Sequence, residues 1–139
     1  MNANGLTQLQ GWGITALRVV VGIVFLMHGG QKLFVWGFGG VAGLLGQVGI
    51  PVPMLAAAIV TLVEFLGGLA LLLGLFTRWA AIPPAINMAV AILTVHLRAG
   101  FFLPDGYEFA LTLLAANVAL ALLGGGEASV DRLLEKRAA

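Results

Sequence analysis

Between Met54 and Phe76 lies a run of 23 residues in which only Thr61 and Glu64 are polar. At a rise of about 1.5 Å per residue, a helix of that length covers the roughly 30 Å hydrocarbon thickness of a bilayer. Glu64 stands near the middle of the run. A carboxylate at that depth costs about 2.5–3.5 kcal/mol or more to insert, so it must face protein and meet a partner. The chain therefore reads as a membrane protein with a buried polar site.

Composition agrees. Of the 139 residues, 60% are hydrophobic and 9% charged, against about 25% charged in soluble domains. The length suits one domain, 1–139. The formal net charge of +1 offers no basic field for nucleic acid. Its 20 glycines are embedded in Leu, Val and Ala, as close helix packing in a membrane requires. There is no cysteine, which excludes thiolate metal sites, iron–sulfur clusters, covalent c-type haem and a dithiol relay within this chain. The N-terminus lacks the basic region and small-residue cleavage site of a signal peptide, so the first apolar segment is expected to stay.

The expected fold is all-α, an integral membrane four-helix bundle with spans near residues 14–34, 54–76, 79–97 and 107–123 and a tail over 124–139. Thr77-Arg78 forms a tight hairpin between the second and third spans. Pro83-Pro84 kinks the third or delays its regular part to about Ile82. The segment Val35–Pro53 is too polar and Gly-rich to span, and Val41–Val48 within it reads as a short interfacial helix in the first outer loop. Gly124-Gly125-Gly126 breaks the last span, and Glu127–Arg137 reads as a surface helix with Val130, Leu133 and Leu134 on one side. Arg18, Arg78, Arg132, Lys136 and Arg137 fall at one end, and Lys32 and Arg98 at the other. That bias places both termini in the cytoplasm.

Helical periodicity sorts the polar residues further. Arg18, Gly22, Phe25, Gly29 and Lys32 share one arc of the first span, and Glu64, Gly67, Gly68, Leu71 and Gly74 form a similar stripe on the second. Asn87, Thr94 and Arg98 share a face of the third, with His96 nearly opposite. In the fourth, Glu108 aligns with Thr112, while Asn117 lies on the other side. By depth, His28, Lys32, His96, Arg98, Asp105 and Glu108 gather at the outer end, Glu64 near the midplane and Arg18 near the inner boundary. Lys32 then lies well above Glu64, and His28, one turn deeper, is the nearer helper. Lys32 and Arg98 also fit simple snorkelling to the headgroups, and Asn87 and Asn117 fit interhelical polar contacts. His28 and His96 are a weak signal for a b-type haem, and no metal site is assigned.

Two strings carry a resemblance: Arg18 through Gly22, Phe25, His28 and Gly29 to Lys32-Leu33-Phe34, and Glu64-Phe65-Leu66-Gly67-Gly68 through Gly74 to Thr77-Arg78. With Asn87-Met88, His96, Gly106-Tyr107-Glu108 and Gly124-Gly125-Gly126, they resemble the DoxX family over nearly the whole chain. The resemblance implies a multi-pass protein of a bacterial or archaeal inner membrane, associated with redox or oxidative-stress complexes, with Arg18, Lys32, Glu64, Asn87, His96 and Glu108 as site-forming positions.

Three functions are weighed. The first is a membrane subunit of a redox complex, not an enzyme alone, that binds a quinone or similar lipophile between its helices and works with a protein partner or a second copy. The second is a small proton-coupled transporter, and the third a structural anchor or assembly factor with no ligand. A quinone needs an apolar slot and hydrogen-bond partners for its carbonyls, which Glu64, His28, Lys32, Asn87, His96, Glu108 and Arg18 are the candidates to provide.

Overall fold

A computed structural model describes residues 3–138. Among them there is no strand. Helix α1 (Ala3–Gly30) runs into a π-helical segment (Gln31–Trp36) and then α2 (Gly37–Gln47), with Gly37 at φ 65° breaking the helical path. Helix α3 spans Pro53–Leu73, α4 Thr77–Ala80 and α5 Ile82–Ala91, the last continued by a π-helical segment (Ile92–His96) and a 3₁₀ turn (Leu97–Ala99). Helix α6 covers Glu108–Leu123 and α7 Val130–Ala138.

Three helical stretches, residues 5–47, 53–73 and 77–99, are long and apolar enough to cross a membrane. The fourth, α6, has 16 residues, about 24 Å of helix. The surface matches that reading. Met27, Leu66, Leu93 and Leu122 are exposed, whereas Arg18, Thr61, Glu64, Thr77 and Asn117 are buried. Apolar side chains outside and polar ones inside suit a lipid solvent.

Several boundaries differ from the sequence expectation. The first helix begins about ten residues earlier, because nothing between Ala3 and Ile14 breaks it. A helix does form over the expected 41–48 stretch, starting at Gly37 and seating Val41 and Ala42 on Ala57 of α3. The two prolines sit in the first turn of α5, where a missing N–H costs nothing, so residues 77–99 stay almost continuously helical.

Backbone contact between α1 and α3 organises the bundle. On α3 the buried residues Ala57, Thr61, Glu64, Gly68 and Leu71 alternate in steps of four and three, a single stripe along the helix. A Cβ on Gly22 would lie 2.6 Å from the Leu72 nitrogen, one on Gly29 would overlap the backbone of Glu64 and Phe65, and one on Gly68 that of Phe25 and Leu26. Only glycine lets the two helices approach so closely. Helices α5 and α6 form a second pair, and Val21, Phe25, Leu71, Met88, Leu113 and Leu120 fill the space between the pairs.

Gly74, in the left-handed region at φ 69°, ends α3. The Asp131 carboxylate then accepts from the amides of Phe76 and Thr77 at 2.6 and 2.8 Å, capping α4 and fixing the start of α7.

Candidate functional site

A cavity of about 330 Å³ opens between the two helix pairs at the Lys32 end of the bundle. Glu64 forms its polar floor. The helix that carries it starts at Pro53, so Glu64 lies about 16 Å along the axis from that end. Its side chain is 5% exposed, its Oε2 is paired with the Lys32 ammonium, and its Oε1 accepts from the Asn87 amide at 3.0 Å. Three helices thus meet at one carboxylate.

This corrects the depth argument that favoured His28. Gly29 sits against the backbone of Glu64 and Phe65, so Glu64 is level with Gly29. Lys32 is three residues further, about 4.5 Å, a gap its flexible four-carbon stem closes. The first helix also continues past Phe34 instead of ending there, so Lys32 is not at a helix end. His28 also lines the cavity, its ring centroid 6.3 Å from that of Phe109, without bonding to Glu64.

The π-helical segment changes the third span as well. His96 lines the same cavity as Asn87 and Thr94, contrary to the expectation that it points away. The wider i→i+5 turn over Ile92–His96 retards the helical phase and swings His96 back. A carbonyl can only accept, so its Nδ1 donates to the Asp105 carbonyl at 2.8 Å.

Two other candidates lie elsewhere. Glu108 accepts from the Leu103 amide at 2.7 Å and shapes the loop before α6, outside the cavity lining. Arg18 is 1% exposed at the opposite end, where its guanidinium donates to the carbonyls of Leu71, Leu72, Gly125 and Ala128. It ties α1, the end of α3 and the glycine-rich turn together. Asn117 is not an interhelical bridge; its amide donates to Leu113 within α6 at 2.8 Å.

The remaining lining is apolar, including Phe25, Val60, Met88, Val90, Phe109 and Leu113. Periodicity could not single these out, since every turn of a membrane span offers similar residues. The only hint was Phe25, which shares its arc with Gly22 and Gly29. Among the described residues, no three His, Asp or Glu side chains gather as metal ligands would. A small apolar chamber with a hydrogen-bonding end is the form of a small-molecule site.

The family model described as DoxX matches residues 13–97. "Putative oxidoreductase CatD" of Bacillus subtilis is 34% identical over 124 residues, covering 89% of this chain and 88% of that protein. An uncharacterized membrane protein of Mycobacterium tuberculosis is 36% identical over 136 residues, covering 90% and 83%. The inner membrane protein YqjF of Escherichia coli is 32% identical over 136 residues, covering 95% and 99%. No solved structure matches the chain.

Proposed function

This chain belongs to the DoxX family as a multi-pass protein of the bacterial inner membrane, and on that footing we propose that it is a membrane subunit of a redox complex whose cavity binds a quinone headgroup. The supporting observation is the Lys32–Glu64–Asn87 cluster on the floor of an apolar chamber inside the membrane spans. An ammonium carries three N–H donors, and the contact with Glu64 uses one. The others can meet a carbonyl oxygen in a dry site, where a charge-assisted hydrogen bond is about twice as strong as a neutral one. Glu64 holds Lys32 in place, and Asn87 fixes the carboxylate. A quinone accepts electrons and protons when reduced; this chain's share is to seat and orient its head, with electrons supplied by a partner protein. The name of the Bacillus subtilis relative supports a redox setting.

The test is Glu64→Gln. Lysine can relax toward the membrane surface when its partner is neutral, so the variant should insert and keep its helical content. Its affinity for a tail-less 2,3-dimethoxy-5-methyl-1,4-benzoquinone, titrated in nanodiscs, should fall at least about tenfold, the equivalent of about 1.4 kcal/mol. Equal affinity in the two proteins would leave the structural-anchor reading ahead.

We further propose that both termini are cytoplasmic. Lys32 and Arg18 are engaged inside the bundle, yet Arg78, Arg132, Lys136 and Arg137 still outweigh Arg98, and the basic excess marks the cytoplasmic side. Single cysteines at Gly39 and Gly100 should label with a membrane-impermeant maleimide from the periplasm. Labelling only from the cytoplasmic side reverses the topology.

A further inference from the structure

The geometry points to a lateral portal between α3 and α5 through which the ligand's hydrocarbon tail leaves the cavity into the bilayer, so that the ligand is a tailed lipid taken from the membrane and not a water-borne molecule. This rests on the quinone-head reading and extends it to route and ligand class. A space of about 330 Å³ is at the small end for ligand pockets. It holds a substituted ring and a few carbons, and a longer tail must exit.

The aqueous end is roofed. Leu103, Pro104 and Gly106 cover the cavity. Their loop is pinned by Tyr107 N–H to Gly100 O and Glu108 N–H to Phe101 O, both 3.0 Å, with His96 and Glu108 holding Asp105 and Leu103. Leu45 of α2 and Ile50 before α3 line the cavity as well, and the helix pairs leave two seams, α1–α6 and α3–α5. The α1–α6 seam is exposed too, at His28 and Phe109, but there the two rings span it, their centroids 6.3 Å apart.

The α3–α5 seam differs. Its lower end is closed by the Glu64–Asn87 bond. These two helices run in opposite directions, so one turn toward the roof Val60 is level with Ala91, and two turns on Ala56 is level with Val95. All four line the cavity, no hydrogen bond or ring contact joins the walls there among the described residues, and Val90 and Val95 are 47% and 40% exposed at a surface that reads as lipid-facing. A slot with aliphatic walls, a polar inner end and exposed valines along its rim suits an alkyl or prenyl chain and offers nothing to a polar one. The π-helical turn over Ile92–His96 shapes one wall.

The chain has no cysteine, which permits a clean test. In Ala56→Cys/Val95→Cys protein in nanodiscs, affinities for a decyl-benzoquinone and for the tail-less quinone are measured before and after bridging the thiols with a short bis-reactive cross-linker. Bridging should weaken decyl-quinone binding at least tenfold more than it weakens binding of the tail-less compound. Val95→Trp, at a partly exposed position, should give a split in the same direction without a cross-linker, weakening the decyl-quinone more than the tail-less compound. The inference is overturned if neither change affects the tailed compound, if both compounds weaken equally, or if a bridge at His28→Cys/Phe109→Cys gives the split instead. A wild-type protein that binds neither quinone overturns the proposed function and this inference with it, a result distinct from a head that binds whatever the state of the seam.

Discussion

Lys32→Met should destabilise the protein by about 3–5 kcal/mol, the range for removing one partner of a buried ion pair, and Lys32→Met/Glu64→Gln should recover most of that loss. Glu64 is held inside the bundle by α3 and its side chain is 5% exposed. Once the ammonium is gone, only the Asn87 amide at 3.0 Å remains to compensate the charge. A carboxylate on a short stem cannot reach the surface from about 16 Å inside the helix, so the penalty is not relieved by rearrangement. Glutamine carries no charge and keeps an oxygen for Asn87, so the double variant lacks the uncompensated group. The asymmetry with Glu64→Gln alone is part of the expectation, since the remaining lysine can move toward water and the remaining glutamate cannot. Midpoints of thermal unfolding in one detergent, for the three variants and the parent, test it. A Lys32→Met protein as stable as the parent, or a double variant no better than the single, would mean that the pair does not hold the site together.

Gly68→Leu should prevent a stable bundle from forming. A Cβ there collides with the backbone of Phe25 and Leu26, and backbone cannot rotate aside as a side chain does. Ordinary core overpacking costs about 1–3 kcal/mol; here α1 and α3 must separate along the interface that also sets the level of Lys32 against Glu64, so the loss should reach or exceed the top of that range. Gly43→Leu is the comparison, because a Cβ at Gly43 in α2 meets nothing within 4 Å and leucine is the better helix former. Size-exclusion profiles after extraction should show Gly43→Leu as parental and Gly68→Leu as aggregated or absent. Equal tolerance of both would show that the α1–α3 approach is looser than described. The stripe read from sequence placed Gly67 beside Gly68, but the two face different helices: a Cβ on Gly67 would meet Pro84 of α5.

What the sequence determined by itself is whatever follows from the solvent and the helical period. Apolar run lengths located the second, third and fourth helices within a few residues, because a bilayer sets one required length, while the first helix extends well beyond its run at both ends. The central position of Glu64 required a buried partner, because an uncompensated charge in hydrocarbon is costly. The arc of Gly22, Phe25, Gly29 and Lys32 marked the face of α1 that packs. The choice of partner came only from the tertiary structure. Periodicity gives the direction in which a residue points around its own helix, but not the level at which another helix crosses it. That level was fixed where Gly29 meets the backbone of Glu64 and Phe65, and it selected Lys32 over His28. The π-helical turns over Gln31–Trp36 and Ile92–His96 altered the helical phase, which moved His96 onto the cavity. Arg18 found its acceptors on Gly125 and Ala128, more than a hundred residues away, because the chain closes on itself there and a buried guanidinium must satisfy its donors with whatever carbonyls the fold brings near.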